Sequence, residues 1–101
     1  MQYHGNGAHF EVYCAGAVAD RIKDVHRQAV SEDRGQEMVA AFRQAIERLR
    51  TAPTEFGEIL YQLPAMRMNV ATAVVRPIAI DFAVCTDRPM VLIKRVKLLG
   101  K

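Results

Sequence analysis

Cations near the C-terminus offer the clearest chemistry in this chain. Lys94, Arg95 and Lys97 fall in one run, Met90 to Leu99, of strand-forming character. Successive side chains of a strand point to opposite faces, so Arg95 and Lys97 share one face and Lys94 takes the other. With Arg67 and Arg76 on neighbouring runs, they make a candidate basic strip that would face the phosphates of a nucleic acid, RNA included. The structural alternative is that these charges keep the protein dissolved and protect an edge strand from aggregation. No aromatic residues interleave with the cations, so a platform for stacking bases is not expected.

The other reactive residues give less. Asp81 is a carboxylate inside an alternating apolar run. A general base would want a second carboxylate or a histidine nearby, and pairing with a cation on a neighbouring strand explains Asp81 more simply. His26, at the edge of an apolar helical stripe, reads as a packed or surface histidine. His4 and His9 match no metal motif, so no metal and no cofactor is expected. Gly5 and Gly7 do not make a phosphate loop, because no strand precedes them and no helix follows. Tyr3, Tyr13 and Tyr61 read as amphipathic packing residues, with Tyr61 nearest the basic runs. Cys14 and Cys85 lack a CxxC partner and read as reduced thiols acting as small hydrophobes; a disulfide would need their Cα atoms within about 7 Å.

The elements that must position these residues follow from apolar spacing. His9 to Cys14 alternates, placing Phe10, Val12 and Cys14 on one face of a strand that Gly16 ends. From Ala17 the period changes: Val18, Ile22, Val25, Ala29 and Val30 recur at three- and four-residue steps, the stripe of a helix. The polar stretch Ser31 to Gly35 breaks it. Met38, Ala41, Phe42, Ala45, Ile46 and Leu49 then define a second helix, with Arg43 and Glu47 spaced to pair across one turn. Arg48 and Arg50 suit its C-terminal dipole, and Pro53 ends it. The short break implies an antiparallel helical hairpin.

After Gly57 the chain turns to strands. Ile59 to Leu63 is a short apolar run closed by Pro64, and Met68 to Val75 is rich in β-branched residues. Pro77 marks a strand start, a bulge or an edge. Ile78 to Val84 alternates, and Thr86 to Pro89 connects it, hairpin-fashion, to Met90–Leu99. The order reads β-α-α-β-β-β. This is an α+β fold, with the helical hairpin packed on one face of a twisted, mainly antiparallel sheet. The other face is expected to be partly solvated and free to bind something.

Length and composition frame that reading. The chain has 101 residues, half of them apolar and a quarter charged, which suits one globular domain able to bury a core. Residues 1–8 read as a flexible N-terminus and 9–99 as the single domain. No signal peptide or membrane span is expected, so the compartment is expected to be cytoplasmic. The net charge of +3 is unevenly spread: residues 1–66 carry seven basic and nine acidic residues, and residues 67–101 carry seven basic and two acidic. The C-terminal third is therefore the half suited to an acidic partner, whether nucleic acid or protein.

Taken together, the layout resembles the RelE/ParE toxin superfamily. The stretch Leu49-Arg50-Thr51-Ala52-Pro53-Thr54-Glu55-Phe56-Gly57-Glu58 is similar to the family's junction between helix end and second strand. Leu60, Leu63 and the stretch Arg76 to Val84 are similar to the segment that writes its central strand, and Val91 to Val96 to its final strand. The resemblance runs from His9 to Leu99. It implies a toxin of a toxin–antitoxin pair, acting either by ribosome-dependent mRNA cleavage or by inhibition of DNA gyrase, and an antitoxin protein as partner. Typical ribonuclease members place an arginine in the central strand and an aromatic residue or histidine at the C-terminus. Here that strand reads Ile78-Ala79-Ile80-Asp81 and the tail Lys97-Leu98-Leu99-Gly100-Lys101, so catalytic residues are not assigned. Two alternatives stand beside the toxin: a noncatalytic protein-binding or homodimerising module of the same fold that has lost toxicity, and a plain nucleic-acid-binding domain.

Overall fold

The computed structural model describes residues 9–100. The flexible start expected at residues 1–8, with His4 and Tyr3, lies outside the described residues. Strand β1 (Glu11–Cys14) leads into helix α1 (Gly16–Ser31), and a tight turn leads into α2 (Gly35–Thr51). Strands β2 (Glu58–Leu63), β3 (Met68–Val75), β4 (Ile78–Cys85) and β5 (Met90–Leu98) follow, with a single 3-10 turn, Pro64–Met66, between β2 and β3. Four strands thus follow the hairpin where the order read from sequence has three. The run around Ile59–Leu63 does not alternate between buried and exposed, because it is the outermost strand and nearly all of it is exposed. Gly16 does not merely end β1; it is the first residue of α1.

The sheet order is β1-β5-β4-β3-β2. β1 runs parallel to β5, and the other three pairings are antiparallel. Alternation explains which face is covered. Ala71 and Ala73 of β3, Ile78, Ile80, Phe82 and Val84 of β4, and Val91, Ile93 and Val96 of β5 are buried in one cluster with Ala29 of α1 and Met38, Ala41, Ala45 and Leu49 of α2. The two alanines of β3 leave room for α2, which crosses β1, β3 and β4, while α1 runs along β5. Among the largest core side chains, Phe82, Met38, Leu49, Ile78, Ile80 and Val91 are fully buried. Burying side chains of this size stabilises the fold by about 1.5–3 kcal/mol each.

Two local devices set the geometry of the uncovered face. In β5 the register jumps from Phe82↔Ile93 to Asp81↔Arg95, so Lys94 is an extra, bulged residue. Strict alternation from Val91 and Ile93 would drive Arg95 into the core. The bulge shifts the phase, so Val96 is buried and Arg95 and Lys97 lie on the open face. Between α2 and β2, Phe56 stacks on Phe82 with ring centroids 5.7 Å apart, and the Arg48 guanidinium lies over the Phe56 ring. Gly57 follows with φ +87°, and a Cβ there would collide with the Thr72 carbonyl oxygen. Only glycine fits that close approach of β2 to β3.

The hairpin is tied to the end of the sheet by Arg34. Its guanidinium donates to the Leu99 carbonyl at 2.8 Å and pairs with Glu32, although its Nε is buried without a partner. No described helix is long and apolar enough to cross a membrane.

Candidate functional site

The face of the sheet turned away from the helices carries most of the residues singled out by sequence. Cross-strand pairing places Thr72, Asp81 and Arg95 in one row on β3, β4 and β5. Thr72 donates its hydroxyl hydrogen to Asp81 at 2.7 Å, and Arg95 approaches the other carboxylate oxygen at 3.3 Å. Asp81 therefore has the cross-strand cation that its position in an apolar run implied. Half-exposed as they are, these groups gain little from the pairing itself. Its effect is to hold the Arg95 guanidinium beside Asp81 on the open face.

The structure divides the expected basic strip. Lys97 lies across from Ala79, next to the turn that holds Arg76, so Arg76, Arg95 and Lys97 gather at one end of the open face. Lys94, the bulged residue, is exposed at the same end. Arg67 and Arg76 bracket β3, so their backbones stand up to roughly 30 Å apart at about 3.3 Å per residue. Arg67 is instead paired with Asp87 at 3.1 Å, at the β4–β5 connection. That hydrogen bond from Arg67 holds the Asp87 carboxyl below its ordinary value, against a smaller opposing effect of desolvation.

Between the basic end and Arg67 the open face is apolar. Val70 and Ala83 are buried at its centre, with partly exposed Leu92, Tyr13 and Tyr61 beside them on the neighbouring strands. Tyr13 donates a hydrogen bond to Glu11. Cys14 and Cys85 are both free, Cys14 exposed and Cys85 buried. Among the described residues no cluster of histidine, cysteine and carboxylates could hold a metal ion.

A second candidate surface was not recognised in the sequence. The two helices diverge on their outer side and leave a groove of about 640 Å³ lined by Ile22, Val30, Met38, Val39 and Phe42, with Lys23, Arg27 and Arg43 at its rim. Val30 remains 54 % exposed there. The adjoining cleft, between α2 and β1, continues from Phe42 to Ile46, Phe10 and Val12. The signal was in the sequence. The apolar stripes of both helices, Val18 to Val30 and Met38 to Leu49, are wider than one sheet face can cover. Phe42 and Ile46 form a second column beside the buried Met38, Ala41, Ala45 and Leu49. His26 lines this groove from the exposed side of α1 rather than packing in the core.

The same arrangement of strands and helices occurs in a chain of the chromosomal ParDE TA system from P. aeruginosa. The two superpose with a TM-score of 0.60 at 11 % sequence identity, over 90 % of this chain and 97 % of that one. At that identity the likeness is one of fold alone. No protein-family model matches the chain, and no curated protein sequence does.

Proposed function

We propose that this protein is the toxin component of a toxin–antitoxin pair. The observation that carries the proposal is the likeness of nearly the whole chain to a chain of the ParDE system. Fold alone is a weak guide to activity, so the surfaces must supply the rest. The interhelical groove supports a protein partner: apolar along its floor and basic at its rim, it suits an amphipathic helix with acidic flanks. Its continuation along β1 suits an extended segment beyond that helix. Such a partner is the antitoxin.

The target is approached through the basic end of the open face, with Arg76, Lys94, Arg95 and Lys97 meeting its charges and Arg67 reaching it separately at the far end. Cutting RNA would require a free group to take up the 2′-hydroxyl proton. Asp81, the carboxylate nearest those cations, is held by Thr72 and Arg95. This arrangement favours a toxin that acts by binding, as inhibition of DNA gyrase does, over one that cleaves mRNA on the ribosome.

Expression of the protein alone in bacteria tests the reading. Growth should stop, and co-expression of a small protein from the adjacent reading frame should restore it. Normal growth at high expression removes the toxin assignment. Supercoiling by purified gyrase should be inhibited while ribosome-bound mRNA stays intact; the reverse pattern would assign the cutting branch.

One observation favours a second reading, a binding module that self-associates. β2 is an outer strand with Ile59, Leu60 and Tyr61 exposed and Glu58 as its single charge. Unprotected edges of this kind pair with other strands. This reading predicts harmless expression, and a concentration-dependent dimer in sedimentation that Leu60→Lys dissolves.

A further inference from the structure

The described chain places three sulfur side chains near one another on the open face. Met68 of β3 lies directly across from Cys85 of β4. Val84 of β4 and Val91 of β5 are paired and buried against the helices. Their chain neighbours Cys85 and Met90, which flank the β4–β5 connection, therefore point to the opposite face. Met68 and Cys85 are thus directly opposed, and Met90 follows on the same face, one step beyond Val84 and Val91, the last residues paired between β4 and β5. Directly opposed residues hold their Cβ atoms about 4.5–5.5 Å apart, within the swing of a methionine side chain. The next row along the same face, Val70, Ala83 and Leu92, is wholly aliphatic.

We propose that Met68, Cys85 and Met90 form a binding site for a soft monovalent metal ion, Cu(I) in particular. The chemistry selects the ion: one thiolate and two thioethers are soft ligands that favour Cu(I), whereas the hard cations want oxygen. Three ligands on one face, with the thiol on the middle strand, suit a low-coordinate ion. Filling space accounts less well for the pattern. The chain has five methionines and two cysteines, and three of those seven residues fall in this one group. A fourth, Met66, is exposed in the turn leading into β3, where its thioether can capture an ion on the way in.

The site is closed at rest. Cys85 is 5 % exposed, while Met68 and Met90 are half-buried above it. Burial pushes the Cys85 thiol up from its ordinary value; the nearby Arg88 guanidinium opposes this and Asp87 adds to it. The thiol therefore carries its proton at neutral pH. On binding, the S–H bond breaks, an S–Cu bond forms and the proton leaves to solvent. Copper stays Cu(I), so no oxidant or reductant enters. This site is independent of the toxin reading and stands or falls apart from it.

Anaerobic titration of the reduced protein with Cu(I), in competition with a chromophoric Cu(I) chelator, is the test. One ion per chain is expected, with a thiolate-to-copper charge-transfer band in the ultraviolet. Cys14→Ser, which removes the exposed thiol, should bind as the parent does. Cys85→Ser should lose the band. Met68→Leu with Met90→Leu conserves volume and should keep the fold by circular dichroism, while weakening Cu(I) by about 10–100-fold or more. A parent protein that cannot compete with the chelator overturns the proposal. So does loss of binding in Cys14→Ser, or full affinity in the double leucine variant.

Discussion

Gly57 is the residue on which the join between the two halves of the chain depends. With φ +87° and the Thr72 carbonyl oxygen standing where a Cβ would have to go, alanine cannot be accommodated without moving β2. Gly57→Ala should cost at least about 1–3 kcal/mol in urea unfolding. The β2 amides should lose hydrogen-exchange protection before those of β4. At the far end of the sheet, Asp87 titrates below its ordinary 3.8 because Arg67 donates to it. A depressed carboxyl binds its proton less readily folded than unfolded, so its contribution is present above that ordinary value and is lost as pH falls through the lowered one. Arg67→Ala should therefore differ from the parent in denaturation midpoint at pH 6, and the two should converge as the pH falls below 3.8. The partner of Asp81 was legible because a carboxylate in an alternating strand needs a cross-strand cation, and Arg95 fills that role. That Arg67 belongs with Asp87 was not legible, since it depends on which end of β3 meets which turn.

Among the elements, the two helices were readable because their apolar stripes repeat at helical spacing and the breaks at Ser31–Gly35 and Pro53 are unambiguous. Leu49 is fully buried in the face that α2 presents to the sheet, so Leu49→Ala should lower stability by about 2–5 kcal/mol in chemical denaturation. Phe42 lies in the second column, over the groove. Phe42→Ala should cost less in stability and more in affinity for a partner protein, measured by calorimetry. The groove itself was hidden in the sequence, because a stripe too wide for one neighbour looks the same as a well-covered one until the neighbours are placed. β2 was legible as a short apolar run but left out of the strand count, for the opposite reason. Exposed along nearly its whole length, it has no burial contrast to produce alternation. In β5 the phase change was written into Ile93-Lys94-Arg95-Val96, where two cations separate two apolar residues that strict alternation would set on opposite faces.

Across the whole molecule, each of the two candidate surfaces joins apolar area to basic charge. The helices present a groove with a basic rim, and the C-terminal strands carry seven basic residues against two acidic from residue 67 onward. If the basic end of the sheet binds nucleic acid, Arg95→Ala with Lys97→Ala should weaken binding equally for all sequences. It should also reduce the slope of log affinity against log salt by roughly 0.9 for each phosphate of duplex DNA that the variant leaves unneutralised. An unchanged slope in filter-binding or anisotropy titrations would place the binding surface elsewhere. The charge asymmetry was plain from sequence. Its division into two separate ends was not, because that needed the strand order.

The strand order also governs how the molecule is made. β5, the last strand, lies between β1, the first, and β4, and the Glu11 amide donates to the Pro89 carbonyl at 2.9 Å. A growing chain leaves the ribosome N-terminus first, at about 5–20 residues per second. Until β5 emerges, β1 therefore lacks the strand it pairs with. Chains cut short before Met90 would hold two bare margins where the native sheet has a seam, and would stay unfolded. Closure of the sheet thereby waits for β5 to emerge, which leaves β1 and the far margin of β4 exposed to other strands for a matter of seconds.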